Sequence, residues 1–346
     1  MLEAMTPERF SQLSERYAKL RIVLLGDFCL DRYFDIDPAK SETSIETGLP
    51  VHNVTNVRSQ PGAAGTILGN LTALGAGAVF PIGFCGEDGE GFELLRALQR
   101  TPRVDCDGFL QTPERRTFTY TKPLLHETGR APRELSRLDL KNWTPTPPAV
   151  EEQLLGALRR LAADADAIIV MDQVDIAETG VVTTRIREAV GKISREHPAL
   201  PVLADCRRGL HGWPQCIWKM NARELSLLEG VSESDPEAMR DAIARRARSN
   251  ARAVFVSQAG DGILGADASG ETRHVPAFPV RGPIDIVGAG DSVSANLAMA
   301  LAAGADAGEA MEMAMAAANV VIHQLGTTGT ATLPQIRALL LQPQGK

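Results

Sequence analysis

Arg21-Ile22-Val23-Leu24-Leu25-Gly26 is a short apolar run closed by a glycine. Six residues are too few for a buried helix and suit a strand covered on both faces. Comparable runs recur at 78–83, 104–110, 167–172, 201–205 and 251–257. Helix-like stretches at 64–74, 90–99, 150–162 and 181–196 separate them, and helices from Asp291 and over 307–325 close the chain. Apolar strands alternating with helices predict an α/β protein: a three-layer, doubly wound, mostly parallel sheet with helices on both faces.

Two segments break this rhythm, 33–60 and 115–140. They contain two-sided patterns such as Leu49-Pro50-Val51-His52-Asn53-Val54 and Thr117-Phe118-Thr119-Tyr120-Thr121. These read as short antiparallel strands outside the main sheet. Together they predict a small β lid over its carboxyl edge, where open α/β sheets bind ligands. No internal repeat and no linker rich in Gly, Ser or Pro divides the chain. Residues 1–346 therefore read as one domain carrying that lid.

Hydrophobic content of 44% and charged content of 23% are those of a globular protein. A formal net charge of -7 and a pI near 5.5 argue against a nucleic-acid or membrane-surface partner. No apolar run approaches membrane-spanning length. The first twenty residues mix acids and bases, and Thr6-Pro7-Glu8 reads as a helix start rather than part of a signal peptide. The five cysteines, Cys29, Cys85, Cys106, Cys206 and Cys216, show no CxxC spacing and mostly sit in apolar stretches. Free, buried thiols and a cytoplasmic location are expected.

The most chemically telling run is Asp285-Ile286-Val287-Gly288-Ala289-Gly290-Asp291. It follows a strand-like Ala277-Phe278-Pro279-Val280 and opens a helix of small residues. A Gly-Ala-Gly turn at a helix start offers backbone N–H groups to an anion, helped by the positive end of the helix dipole. A carboxylate at that spot repels phosphate. Its presence makes sense if Asp291 takes a proton from a hydroxyl while the amides hold the phosphoryl group moving onto that hydroxyl. The alternative is an ordinary loop with Asp291 as helix N-cap.

Further motifs lie in order along the chain: Gly26-Asp27-Phe28-Cys29-Leu30-Asp31-Arg32-Tyr33, Pro61-Gly62-Ala63-Ala64, Gly83-Phe84-Cys85-Gly86-Glu87-Asp88, Thr121-Lys122 and Arg137-Leu138-Asp139. Asn221-Ala222-Arg223-Glu224 and Leu325-Gly326-Thr327-Thr328-Gly329 complete the series. With these motifs the chain resembles, nearly end to end, the ribokinase-like (PfkB) family of carbohydrate kinases. It is most similar to the kinase half of the heptose-7-phosphate kinase/adenylyltransferase proteins. The chain runs only a little past Gly329, so adenylyl transfer is not expected.

The resemblance implies an ATP-dependent kinase acting on a sugar or sugar phosphate. It implies Asp291 as general base, with Gly288, Ala289 and Gly290 as the anion hole. Asn221 and Glu224 match a motif that organises Mg²⁺ through its waters, although alone they read as a helix capping box. Asp31, with Asp27 as a second candidate, matches the acids that bind sugar hydroxyls; a salt bridge from Asp31 to Arg32 is the plainer reading. Gly62 matches the substrate turn. Lys122 and Arg137 are candidates to neutralise a phosphate, or are solvated lid charges. Asp285 resembles a residue that helps hold a monovalent cation such as K⁺, or simply initiates the turn. Ser257, Gly262 and Gly326 match the nucleotide side.

The departures cluster around the substrate. Ala63 stands for a second glycine, Thr66 for an Asn, Val287 for a Thr and Met315 for an Asn. Cys206-Arg207 replaces Pro-Lys after Asp205, and no Lys lies between Asp172 and Gly180. A nucleoside kinase of the same fold, or a silent sugar or nucleotide sensor, are the competing expectations. A homodimer through the lid is expected because unpaired strand edges invite pairing.

Overall fold

The computed structural model describes residues 5–341. The first helix, α1 (Pro7–Tyr17), starts as its sequence requires: the Thr6 hydroxyl accepts the Arg9 N–H at 3.1 Å, with Pro7 in the first turn. Then come β1 (Arg21–Gly26), β2 (Phe28–Ile36), β3 (Glu42–Thr43), β4 (Pro50–Val51) and β5 (Val54–Ala63). Next are α2 (Ala64–Ala73), β6 (Ala78–Gly86), α3 (Gly89–Arg100), β7 (Phe109–Thr112), β8 (Phe118–Leu125), β9 (Arg133–Glu134) and β10 (Leu138–Leu140). The second half holds α4 (Pro148–Ala162), β11 (Ala167–Asp172), α5 (Thr184–Glu196), β12 (Val202–Cys206), β13 (Ile217–Asn221), α6 (Ala222–Glu229) and α7 (Pro236–Asn250). It ends with β14 (Val254–Ser257), β15 (Ile263–Ala266), β16 (Thr272–Val275), α8 (Ala289–Ala302), α9 (Ala307–Ile322) and α10 (Leu333–Leu340).

Nine strands form the main sheet in the order β16-β15-β14-β13-β12-β11-β1-β6-β7. All neighbours are parallel except around β15, which pairs antiparallel on both sides. The apolar runs earn this position because both faces are covered. In β1 the alternation divides the strand between two cores: Ile22 and Leu24 join one, Val23 and Leu25 the other. α2, α8 and α9 pack the first face, and α4, α5 and α7 the second. From β1 the chain moves outward to β6 on one side and later to β11 on the other. The order therefore reverses at β1, placing a ligand crevice at its carboxyl end.

The second sheet springs from that end. β2 begins one residue after β1, and the sheet runs β10-β8-β2-β5, with β9 paired to β8; β3 and β4 form a separate hairpin. This is the expected lid, with corrections. It starts at Phe28 rather than at 33, with Asp31 inside β2, and β2 runs parallel to β8 while β5 and β10 are antiparallel. The expected strand at 277–280 is irregular, since Pro276 and Pro279 cannot donate to a ladder. Over 104–110 only Val104 bridges, a 3₁₀ turn follows at Cys106–Gly108, and β7 starts at Phe109. α5 starts at Thr184 behind a Thr183 cap, and α9 stops at Ile322. All five cysteines are free, four of them buried. Among the described residues no helix is long and apolar enough to cross a membrane.

Ala63 joins β5 to α2 with φ +53° and ψ −117°, a region that favours glycine. A non-glycine residue held there costs roughly 1–3 kcal/mol, against roughly 0.5–1 kcal/mol of chain entropy that a glycine would add. Ala63→Gly is expected to raise unfolding free energy in urea by roughly 1 kcal/mol. A lower midpoint would show that the backbone is relaxed at this position.

Candidate active site

The N-terminus of α8 is built without a side-chain cap. Gly288 is the N-cap residue, with φ +83° and no side chain to bond the first turn. The Ala289 N–H closes a turn onto Ile286 O at 3.2 Å. The amides of Gly288, Gly290 and Asp291 find no acceptor among the described residues. Of the three residues expected to form an anion hole, Ala289 thus commits its N–H to the turn, and the N–H of Asp291 lies open in line with those of Gly288 and Gly290. Asp291 is the third residue of the helix, so the N-cap alternative for it is excluded.

The Asp291 carboxyl is half-buried, and its pKa is pushed up to about 7. Burial is the main cause, Asp205 and Asp31 add repulsion, and Lys219 opposes them. Lys219 is a further candidate that no sequence motif marks. It lies in β13, buried, with Nζ 2.7 Å from Asp205 Oδ2. Its nitrogen is also 3.1 Å from the place a Cβ on Gly290 would take, so an ammonium stands beside the open amides. Burial works against that charge, but Asp205 outweighs it and the Lys219 pKa is raised. Ser294 Oγ donates to the same Asp205 oxygen at 2.9 Å. A lysine inside the otherwise apolar Ile217-Trp218-Lys219-Met220 was the available signal, because buried lysines are rare unless paired.

A cavity of about 270 Å³ lies between the two sheets, and Asp31, Ala63, Thr66, Lys122, Arg137 and Asp291 all line it. Asp31 is 8% exposed, and burial raises its pKa while Lys122 and Arg137 pull it back. Gly62 lies directly behind: a Cβ there would meet Asp31 Oδ2 at 2.5 Å and Cys29 Sγ at 2.7 Å, so only glycine fits. The plainer reading of Asp31 fails, since Arg32 pairs with Glu90 and Glu93 instead.

Asp27 does not join the cavity. Its carboxylate accepts the N–H groups of Gln173, Val174 and Val181 at 2.8, 3.2 and 2.7 Å, which makes it a holder of the loop after β11. Arg137 forms a paired bond to Asp139 at 2.7 and 2.8 Å, and Lys141 bonds Asp175 at 2.7 Å. Lys141 and Asp175, which no sequence motif marks, also line the cavity, as does Arg207 from the Cys206-Arg207 departure.

The remaining expected residues lie outside this lining. Asn221 and Glu224 form a true capping box, with bonds of 2.8 and 2.9 Å. Ser257 pairs with Asn221 across β13 and β14, and Gly262 ends the turn into β15. Asp285 accepts the Val287 N–H at 3.0 Å and the Gly326 N–H at 3.2 Å, tying the anion turn to the 326 loop. Met315 is packed in the core.

Removing one member of a buried ion pair strands the other, at a cost of roughly 3–5 kcal/mol. Lys219→Met is therefore expected to lose more stability in urea unfolding than the double variant Lys219→Met/Asp205→Asn. Equal losses would mean that Asp205 is solvated without its partner.

A family profile described as pfkB family carbohydrate kinase matches residues 20–334. A protein named bifunctional protein HldE from Hyphomonas neptunium is 32% identical over 338 residues, covering 96% of this chain. A second of that name, from Bradyrhizobium sp., is 29% identical over 337 residues, again 96% of this chain. The chain spans 66% of the length of each. The fold matches Arabidopsis thaliana ribokinase complexed with ribose and ATP at a TM-score of 0.69 and 18% identity, over 94% of this chain and 99% of that one. It matches Escherichia coli phosphofructokinase-2, in complex with substrates and products, at 0.70 and 17%, over 93% and 98%. The architecture is that of ribokinase, and the chain belongs to the pfkB family of carbohydrate kinases, phosphotransferases that use an alcohol group as acceptor.

Proposed function

We propose that this chain transfers the γ-phosphate of ATP to a hydroxyl of a sugar or sugar phosphate, with Asp291 taking the proton. The observation that carries this reading is one carboxyl in three settings at once. Asp291 shares a cavity with Asp31, sits at the uncapped start of α8, and has a pKa of about 7. A base poised near the working pH combines the ionised form with useful driving force. The amides of Gly288, Gly290 and Asp291, with the Lys219 ammonium, stabilise charge on the moving phosphoryl group. Asp31 orients the acceptor by accepting its hydroxyls.

The donor set at Asn221 and Glu224 suits magnesium. It is made of oxygens, Glu224 Oε1 has no protein donor among the described residues, and no group of three or more Asp, Glu, His or Cys is gathered there to strip the ion of water. When bound, the ion neutralises phosphate charge. Ser257, Gly262 and Gly326 would flank the nucleotide. The Asp285 oxygens keep lone pairs for a monovalent cation such as K⁺ beside the anion turn. One neighbour, Escherichia coli phosphofructokinase-2, is described in complex with potassium.

Four cations, Lys122, Arg137, Lys141 and Arg207, line the cavity against the carboxylates of Asp31, Asp175 and Asp291. That gathering of four cations, held by acids such as Asp139 and Asp175 that an anion could displace, supports the sugar-phosphate form of the reading. A panel of sugars, sugar phosphates and adenosine separates it from a nucleoside kinase. Ligand-induced thermal shifts without turnover on any of them would indicate a sensor.

The base makes a paired prediction. The ionised form is the competent one, and the folded-state value lies above the ordinary 3.8. Thus kcat/KM should be lost as pH falls through about 7. Asp291→Asn is expected to lower kcat by at least ~10²-fold with nucleotide binding intact; full activity in that variant would remove Asp291 as base. A raised carboxyl pKa also means that the folded state prefers the protonated acid. Ionisation then costs stability, by an amount absent below about pH 4 and complete above pH 7. The Asn variant should therefore have a higher Tm than the parent at pH 8 and an equal one near pH 4.

β5 is an edge strand of the second sheet, and Val54 and Val57 on it are 42% and 50% exposed. These features support a homodimer through the lid. Light scattering should then show Val57→Glu shifting dimer to monomer, and a parent that is already monomeric would end that assignment.

A further inference from the structure

Gln60 connects the two ends of the chain. It lies in β5 directly across the ladder from Asp31, and opposed residues of an antiparallel pair project from the same face. Its side-chain Nε2–H donates to Thr328 Oγ1 at 2.7 Å, and Thr327 Oγ1 donates to its Oε1 at 3.3 Å. Both faces of one amide are thereby committed to the 326–328 loop. That loop is itself gripped from the other side. Gly326 N–H donates to Asp285 Oδ2, and the Thr328 Cβ lies 3.3 Å from where a Gly288 side chain would begin. Asp285 in turn accepts the Val287 N–H. A series of hydrogen bonds thus runs from the strand opposite Asp31, through Gln60, the 326–328 loop and Asp285, to Val287 beside the uncapped turn at Gly288.

We infer that Gln60 is a positioning residue that locks the anion-binding turn of α8 to the second sheet, so that the turn is held in shape only while that sheet is seated over the cavity. The role rests on the phosphoryl-transfer reading for its consequence, but the mechanical link does not. Gln60 contacts neither reacting group and acts through Thr327 and Thr328. The amide bonds the loop at both its oxygen and its nitrogen, so a side chain of equal length without those groups keeps the packing and loses the lock. Methionine is that side chain.

Amide hydrogen exchange of the ligand-free protein tests the link without any turnover. Gln60→Met is expected to speed exchange in both 284–290 and 324–330 relative to the parent, with α4 and α7 unchanged. Unchanged exchange in those two segments would overturn the inference. Kinetics then tests the consequence. Loss of a hydrogen-bonded pair of this kind is expected to lower kcat roughly three- to tenfold, with the acceptor KM nearly constant. Thr328→Val should do the same, and the double variant should be no worse than either single one. Additive losses, or a rise in acceptor KM alone, would also overturn it. A parent that transfers no phosphate on any acceptor defeats the functional reading, while the exchange result still decides the link.

Discussion

Asp27 fills the single position between β1 and β2, and the arrangement of both sheets converges on it. Its N–H donates to Met171 O and its C=O accepts from Ala64 N, both at 3.0 Å, fixing β11 and the start of α2. Its two carboxylate oxygens gather three amides of the loop after β11. One residue therefore sets where the lid strand departs, where α2 begins and how the cavity floor is folded. The charge is not held there at a profit. Burial and the neighbouring Asp172 push the Asp27 pKa up to about 7 even though three N–H groups pull it down. The carboxylate is tolerated for its geometry, since no neutral side chain of that size accepts three amides at once.

The start of α8 follows the same logic with the opposite outcome. A helix N-terminus favours a nearby acid, and Asp291 stands within the first turn. Burial and Asp205 nevertheless raise its pKa, and the Lys219 ammonium only partly offsets them. The balance leaves a carboxyl that is neither permanently charged nor permanently protonated near neutral pH. Lys219 serves two masters in this balance. It neutralises Asp205, and it adds positive charge where three amides already lack partners.

The parallel strands were legible because burial on both faces forces continuous apolar runs such as β1, β11 and β12. The lid was legible as an interruption, but its pairing was not. That β2 lies parallel to β8 depends on contacts between segments some ninety positions apart, which no local pattern carries. Asp27 reads as a ligand from sequence because an acid at a strand end resembles one; its real partners lie 146 to 154 positions away. The family resemblance names Ala289 with Gly288 and Gly290 as anion hole, whereas turn closure onto Ile286, which no motif carries, decides which amides stay open. Lys219 was hidden for a related reason: the acid that makes its burial tolerable is on the adjacent strand.

The cavity between the sheets has two kinds of wall. Its depth is set by rigid elements: Asp31 in β2 against Gly62, the methyl of Ala63 held at a strained φ, and Thr66 on the first turns of α2. Changes there alter shape at a direct cost in packing. Its mouth is set by ion pairs: Lys141 on Asp175 between lid and body, Arg207 on Asp175 within the body, and Arg137 on Asp139 within the lid. Asp175 and Arg207 are about half exposed, and pairs of that kind contribute little net stability. They can therefore exchange one anion for another at small cost. If the acceptor carries a phosphate, as proposed, that phosphate would displace a carboxylate from cations that are already gathered, instead of assembling them from solvent. Charge at the rim and shape at the floor would then act on different parts of the proposed acceptor. Under the proposed function, this division would let residues such as Ala63 and Thr66 bear on the acceptor without disturbing Asp291.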